Sequence, residues 1–126
     1  MQDYKNLKVW QKAHGLVLSI YTKVPKYKLY GLTSQIRRAG VSIPANIAEG
    51  SSRGGDPEFA RFLYIAQASA SELDYHLLLA RNLEFIKSAD YERLSETLDH
   101  IRRILANFIQ TIKSPNKSEK RIAKSE

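Results

Sequence analysis

The sequence predicts an all-α domain folded as an antiparallel up-down-up-down four-helix bundle. Apolar residues recur at three- and four-residue spacing through four long segments, which is the helical period. Prolines and small polar clusters fall between those segments and join them by short connections, so consecutive helices must run in opposite directions. The chain has 126 residues and is 43% hydrophobic, enough for one domain with a core of its own.

In the first helix Leu7, Trp10, His14, Val17, Tyr21 and Val24 give 3,4,3,4,3 spacing and are expected to face the core, with Asn6 as the cap. Pro25 ends it, because the residue before a proline resists the α conformation. Lys5, Lys8 and Lys12 lie opposite that seam, as a solvated face would have them. The second helix starts near Gly31 and runs to about Arg53, with Leu32, Ile36, Gly40, Ile43, Ile47 and Gly50 inward. Pro44 should kink it without ending it, since the apolar period resumes in phase beyond.

Asp56 reads as the cap of the third helix, with Pro57 and Glu58 in its first turn. That helix is expected to reach about Lys87. One seam is Phe59, Leu63, Ala66, Ala70, Leu73, Leu77 and Ala80; a second adds Phe62, Ser69, His76 and Leu83. A face that wide implies two neighbours. Ser88 and Asp90 open the fourth helix, whose seam is Leu94, Leu98, Ile101, Leu105, Phe108 and Ile112, and Pro115 stops it. Residues 1–113 thus form the bundle, and 114–126 read as a polar, basic, disordered tail.

The formal net charge is +7 and is unevenly spread. It amounts to +5 over residues 1–30 and +2 over 31–55, against −2 over 56–87, zero over 88–113 and +2 in the tail. Such a balance favours polyanionic partners. The chain has no cysteine, which excludes disulfides and thiolate metal sites. No apolar stretch approaches a membrane span, and lysines break the first twenty or so residues, so a cytoplasmic protein with no membrane role is expected.

Catalytic chemistry is not written in this sequence. It lacks the P-loop, GxGxxG, HExxH and GxSxG patterns, and neither a catalytic site nor a metal or cofactor is predicted. His14 and His76 read as partly buried structural histidines. Glu72 with His76 and Glu96 with His100 stand at i,i+4, whereas di-iron bundles use Glu-x-x-His pairs facing inward. On the second helix Arg38, Ser42, Ala45 and Glu49 share one outer stripe, with Arg37, Val41 and Ala48 beside it. A solvated face with a Glu49–Arg53 pair would explain the charges. It would not explain why the side chains of the face are so small, so Val41, Ala45, Ala48 and Glu49 are the candidate surface for another subunit, with the arginines at its rim. Tyr27 and Tyr30 among Lys26 and Lys28 read as a loop packed on the end of the bundle.

The run YGLTSQIRRAGVSIPANIAEGSSR (Tyr30–Arg53) resembles the signature of small four-helix bundle proteins encoded in intervening sequences of bacterial 23S rRNA genes. LKVWQKAHGLVLSIY (Leu7–Tyr21) and EFARFLYIAQASASELDYHLLLA (Glu58–Ala80) fit the same family. Gly40 departs from it, alanine being commoner there. The resemblance implies a ring-shaped homopentamer. It also implies kinship with the accessory variability determinant of diversity-generating retroelements, a basic bundle that binds nucleic acid and a reverse transcriptase. Arg37, Arg38, Asn46, Glu49 and Arg53 match the family pattern and are implied to be interface or ligand residues.

The expected function is a non-enzymatic oligomer that binds nucleic acid, RNA before DNA, or scaffolds a ribonucleoprotein. Arg37, Arg38 and Arg53 are the first candidate contacts, with Arg102, Arg103, Lys120 and Arg121 as further basic positions. The alternative is an adaptor that docks a protein such as a reverse transcriptase or a ribosome-associated factor.

Overall fold

The computed structural model describes residues 3–25 and 30–114. Asp3 accepts a hydrogen bond from the Lys5 N–H at 3.1 Å and caps a short 3-10 turn, Tyr4–Asn6. Asn6 therefore does not cap the first helix. It belongs to that turn, and α1 (Lys8–Lys23) starts from Leu7 with no side-chain cap. Val24 is already extended ahead of Pro25, as the proline requires. The second helix, α2 (Tyr30–Ser51), runs through Pro44 without a break.

Gly55 sits at φ 108°, a conformation glycine adopts freely, and α3 (Asp56–Asn82) begins directly after it. Asp56 is thus the first helical residue and not the cap. Pro57 and Glu58 hold their expected places in the first turn. α3 stops at Asn82, short of the expected Lys87. Glu84 adopts the left-handed conformation at φ 57°. The Phe85 N–H reaches back to the Ala80 carbonyl at 2.8 Å, and the Glu84 N–H to that of Arg81 at 2.9 Å. This is the Schellman closure, here with a glutamate where glycine is usual. Phe85 and Ile86 then tuck under the helix ends and are buried. The last helix, α4 (Ser88–Lys113), carries Asp90 in its first turn; Lys87 holds the cap position and Ser88 is already helical.

The four helices pack around one hydrophobic core, and no strand occurs among the described residues. The first seam of α3 and the seam of α4 are buried throughout. In α2 the expected face is buried from Ile36 to Gly50, with Leu32 half-buried at its start. In α1 the expected seam is wrong. Leu7 and Val24 are buried, but the stripe between them is Val9, Ala13, Leu16 and Ile20. Trp10 and Val17 lie half-buried at the edge, and His14 and Tyr21 are exposed. α1 carries two regular apolar stripes, and only the narrower one faces the core. Leu83, assigned to the flank of α3, is 55% exposed because the helix has already ended.

No helix among the described residues is long and apolar enough to cross a membrane. The basic tail from residue 115 onward, with Lys120 and Arg121, and the loop holding Lys26, Tyr27 and Lys28 lie outside the described residues.

Candidate nucleic-acid interface

The arginines expected to meet a ligand divide by what they touch. Arg38 donates from Nη2 to Glu72 Oε2 at 2.9 Å and also to Gln35, so its charge is opposed across the boundary between α2 and α3. Arg53 pairs with Glu49 at 2.8 Å and lies over the Phe62 ring. Arg102 donates to Ser71 Oγ at 3.2 Å and stands 3.6 Å from Asp74. Arg37 meets no carboxylate. Its guanidinium stacks on the Tyr21 ring at 4.1 Å, and its Nε is buried without a hydrogen-bond partner among the described residues. Arg103 is exposed and has no acidic partner among them.

The candidate subunit surface on α2 is made of small side chains. Val41 is 41% exposed, Ala45 is exposed and Ala48 half-buried. Asn46 folds back onto its own helix, with Nδ2 donating to the Ser42 carbonyl at 2.8 Å. Ser42 in turn meets Ser69 of α3, oxygen to oxygen, at 2.7 Å. Tyr30 stands out at the start of α2, 76% exposed, and does not pack on the end of the helices. With Tyr21, Ser34, Arg37 and Val41 it lines a shallow cavity of about 420 Å³.

A basic region that the arginine signature did not indicate lies on the other side of α1. Lys12, Gly15, Ser19 and Lys23 follow one another at i, i+3, i+7 and i+11 along the α1 edge that faces α4. Asp90, Arg93 and Thr97 face them across a groove of about 330 Å³ whose floor is Leu16 and Leu94. Lys23 stands 3.9 Å from Asp90. Lys12 and Arg93 have no acidic partner among the described residues. No Asp or Glu occurs anywhere in α1. That absence of carboxylates was the available sequence signal. The partner residues on α4 were hidden by their distance along the chain.

Of the two histidines expected to be structural, His76 fits: it is half-buried and bonds Glu72 Oε2 through Nε2 at 3.2 Å. His14 does not. It is exposed on the outer face of α1, its ring stacked on Trp10 at 4.8 Å and 8° between planes. Glu96 is exposed and His100 half-buried. Among the described residues no group of three or more His, Asp or Glu side chains stands close enough to hold a metal ion. At the start of α3 the Arg61 guanidinium donates to Glu58 at 2.7 Å and holds that carboxyl below its ordinary range.

Residues 5–107 match the sequence pattern of the 23S rRNA-intervening sequence protein family. The fold is similar to a crystal structure described as a protein of unknown function from the S23 ribosomal protein family of Bacteroides thetaiotaomicron VPI-5482. The TM-score is 0.74 at 30% identity, covering 84% of this chain and 99% of that one. Among curated proteins none matches this chain.

Proposed function

The chain belongs to the 23S rRNA-intervening sequence protein family, and from that premise we propose that it is a non-enzymatic, oligomeric RNA-binding or ribonucleoprotein-scaffold protein of the cytoplasm acting through a basic surface. The observation that carries this reading is where opposed and unopposed charge lie. Three of the candidate arginines are spent on carboxylates, Arg38 on Glu72, Arg53 on Glu49 and Arg102 on Asp74. Lys8, Lys12 and Arg93 carry no such partner among the described residues. Arg37 and Arg103 likewise meet no carboxylate among the described residues. Unopposed cations attract a polyanion and gain affinity by releasing its condensed counterions.

In this reading the helices run antiparallel, up-down-up-down, and the chain assembles as a ring-shaped homopentamer. The order of contacts supports the first part. Arg38 meets Glu72 while Ser42, one turn later, meets Ser69, earlier in α3. Lys113, ending α4, reaches the Tyr64 hydroxyl near the start of α3. The outward stripe of α1 supports the second. Trp10, Val17 and Tyr21 of α1 and Val41, Ala45 and Ala48 of α2 are apolar side chains that this chain leaves partly uncovered, Tyr21 and Val41 lining one cavity, and a second copy would cover them. Light scattering on a sizing column is expected to give about five times the 14.4 kDa chain mass. A mass near one chain at micromolar concentration would overturn the assembly.

RNA binding is tested by fluorescence anisotropy with a short labelled single strand across a salt series. Log affinity should fall linearly with log salt, with a slope of about −0.7 for each phosphate engaged. An assembled oligomer that binds no RNA at low salt would defeat the reading and favour the protein adaptor, whose affinity would depend on salt only weakly.

A further inference from the structure

Resting on the RNA-binding reading above, we propose that the groove between α1 and α4 is the track for the sugar-phosphate backbone, with Lys12 and Arg93 as its two phosphate-binding cations. Four features of the groove carry this. First, it is bounded by cations from two different helices, Lys12 and Lys23 on one wall and Arg93 on the other. Second, its one carboxylate, Asp90, stands 3.9 Å from Lys23 and offsets that lysine at one end. The field from the middle onward is therefore left to Arg93 and Lys12.

Third, the walls supply neutral donors. Ser19 and Thr97 line the groove, and their hydroxyls can donate hydrogen bonds to phosphate oxygens. Fourth, the rim carries no side chain at one position. Gly15 lies on its rim, and a Cβ built there would have nothing within 4 Å. A side chain added at this position starts in open space beside the groove.

The dimensions suit a strand and exceed what a lone ion needs. With Lys23 opposite Asp90 and the two helices running in opposite directions, Arg93 comes level with the Ser19 turn and Thr97 with the Leu16 turn. Lys12 lies one turn further. Lys12 and Arg93 are then separated along the axis by about 12 Å at the helical rise of about 1.5 Å per residue. At that separation the two cations meet different phosphates of one strand and cannot share a single phosphate group. Lys8 continues the lysine row one turn beyond Lys12. No aromatic ring lines the groove and no base-reading amide does, so recognition there positions a backbone without reading its sequence.

Two variants test the proposal by different routes. Lys12→Gln with Arg93→Gln removes the charge and keeps the groove. Gly15→Leu keeps every charge and fills the groove. Both are measured in the full chain, after light scattering and circular dichroism establish unchanged assembly and helicity. Against labelled single-stranded RNA and DNA of several sequences at low salt, each variant should lose about tenfold or more in affinity, alike for every sequence. In the charge variant the salt slope should flatten by about 1.4, two contacts at about 0.7 each. A second arm follows the thermal midpoint with inorganic tripolyphosphate, which should raise it in the parent chain and not in either variant.

RNA binding that both variants leave intact would overturn the groove while the RNA-binding function stood. Loss in the charge variant with full binding by Gly15→Leu would move the contact out of the groove and overturn the proposal as well. If the parent binds no RNA but tripolyphosphate stabilises it through Lys12 and Arg93, the RNA function falls and the phosphate groove stands. If neither ligand acts, both fall.

Discussion

Two helix boundaries in this protein are built on opposite terms. Where α2 meets α3 the backbones come so close that a Cβ at Gly50 would lie 2.8 Å from Phe62 Cβ and 2.9 Å from Phe59 Cδ1. Most polar groups there meet each other: Ser42 with Ser69, Arg38 with Glu72, and His76 Nε2 with the same glutamate, while His76 Nδ1 is buried without a partner among the described residues. Where α1 meets α4 a glycine faces open space, a groove remains, and two cations go unmatched. The same residue type closes one boundary and opens the other. A close-packed, charge-satisfied boundary holds the fold, and an open, charge-unsatisfied one is free to act on something else.

Substitutions that attack each side of this comparison should rank accordingly. Ile43 of α2 is fully buried, and Ile43→Asp would bury an uncompensated charge at a cost of several kcal/mol, enough to abolish soluble expression. A soluble variant with full helicity and an unchanged thermal midpoint would mean the core face of α2 has been misplaced. Next comes Gly50→Leu, which overpacks the tight boundary against the Phe59 and Phe62 side chains and should cost about 3 kcal/mol in urea unfolding.

The sign should reverse at the open boundary. Gly15→Ala adds a Cβ where nothing stands within 4 Å, and should stabilise the chain by up to about 1 kcal/mol through helix propensity alone. If both glycine variants destabilise in the same unfolding assay, the two boundaries do not differ as described.

Smaller effects sharpen the electrostatic half. Arg38→Ala removes an exposed pair with Glu72 and should change stability by only a few tenths of a kcal/mol, because exposed pairs are screened. It should weaken RNA less than Lys12→Gln does, since Arg38 already has its counter-charge. Anisotropy titrations of the two variants side by side decide the order. Last, removing residues 115–126 should leave the thermal midpoint unchanged, because α4 already ends at Lys113, and should weaken RNA binding modestly through the loss of Lys117, Lys120, Arg121 and Lys124. A large drop in the midpoint would mean the tail contributes to the core.

Much of the architecture was legible in the sequence because three of the helices have one dominant seam each. The α4 stripe from Leu94 to Ile112 and the α3 stripe from Phe59 to Ala80 are buried as their spacing requires. α1 misled for a physical reason. Its stripe through Trp10, His14, Val17 and Tyr21 is as regular as the one through Val9, Ala13, Leu16 and Ile20, and its side chains are larger. Periodicity says that a face is apolar, and cannot say which of two apolar faces the same chain will cover.

The candidate site was less legible still. Arg38 looked free until Glu72, 34 residues later, was seen to hold it, and Arg102 until Asp74 did the same. The α1–α4 groove joins residues from the two ends of the sequence. What the sequence did carry was an α1 with lysines and no carboxylate.

The outer stripe of α1 also gives this protein a built-in optical reporter. Trp10 is its single tryptophan, half-buried, stacked on His14 and edge-on to Tyr4 at 5.0 Å between centroids. Every photon of indole emission therefore comes from the strip that a second copy would cover. Diluting the protein should shift that emission to the red as water reaches the indole, so the subunit dissociation constant can be measured with no label. The groove between α1 and α4 contains no fluorophore, and its ligands should leave the same signal unmoved.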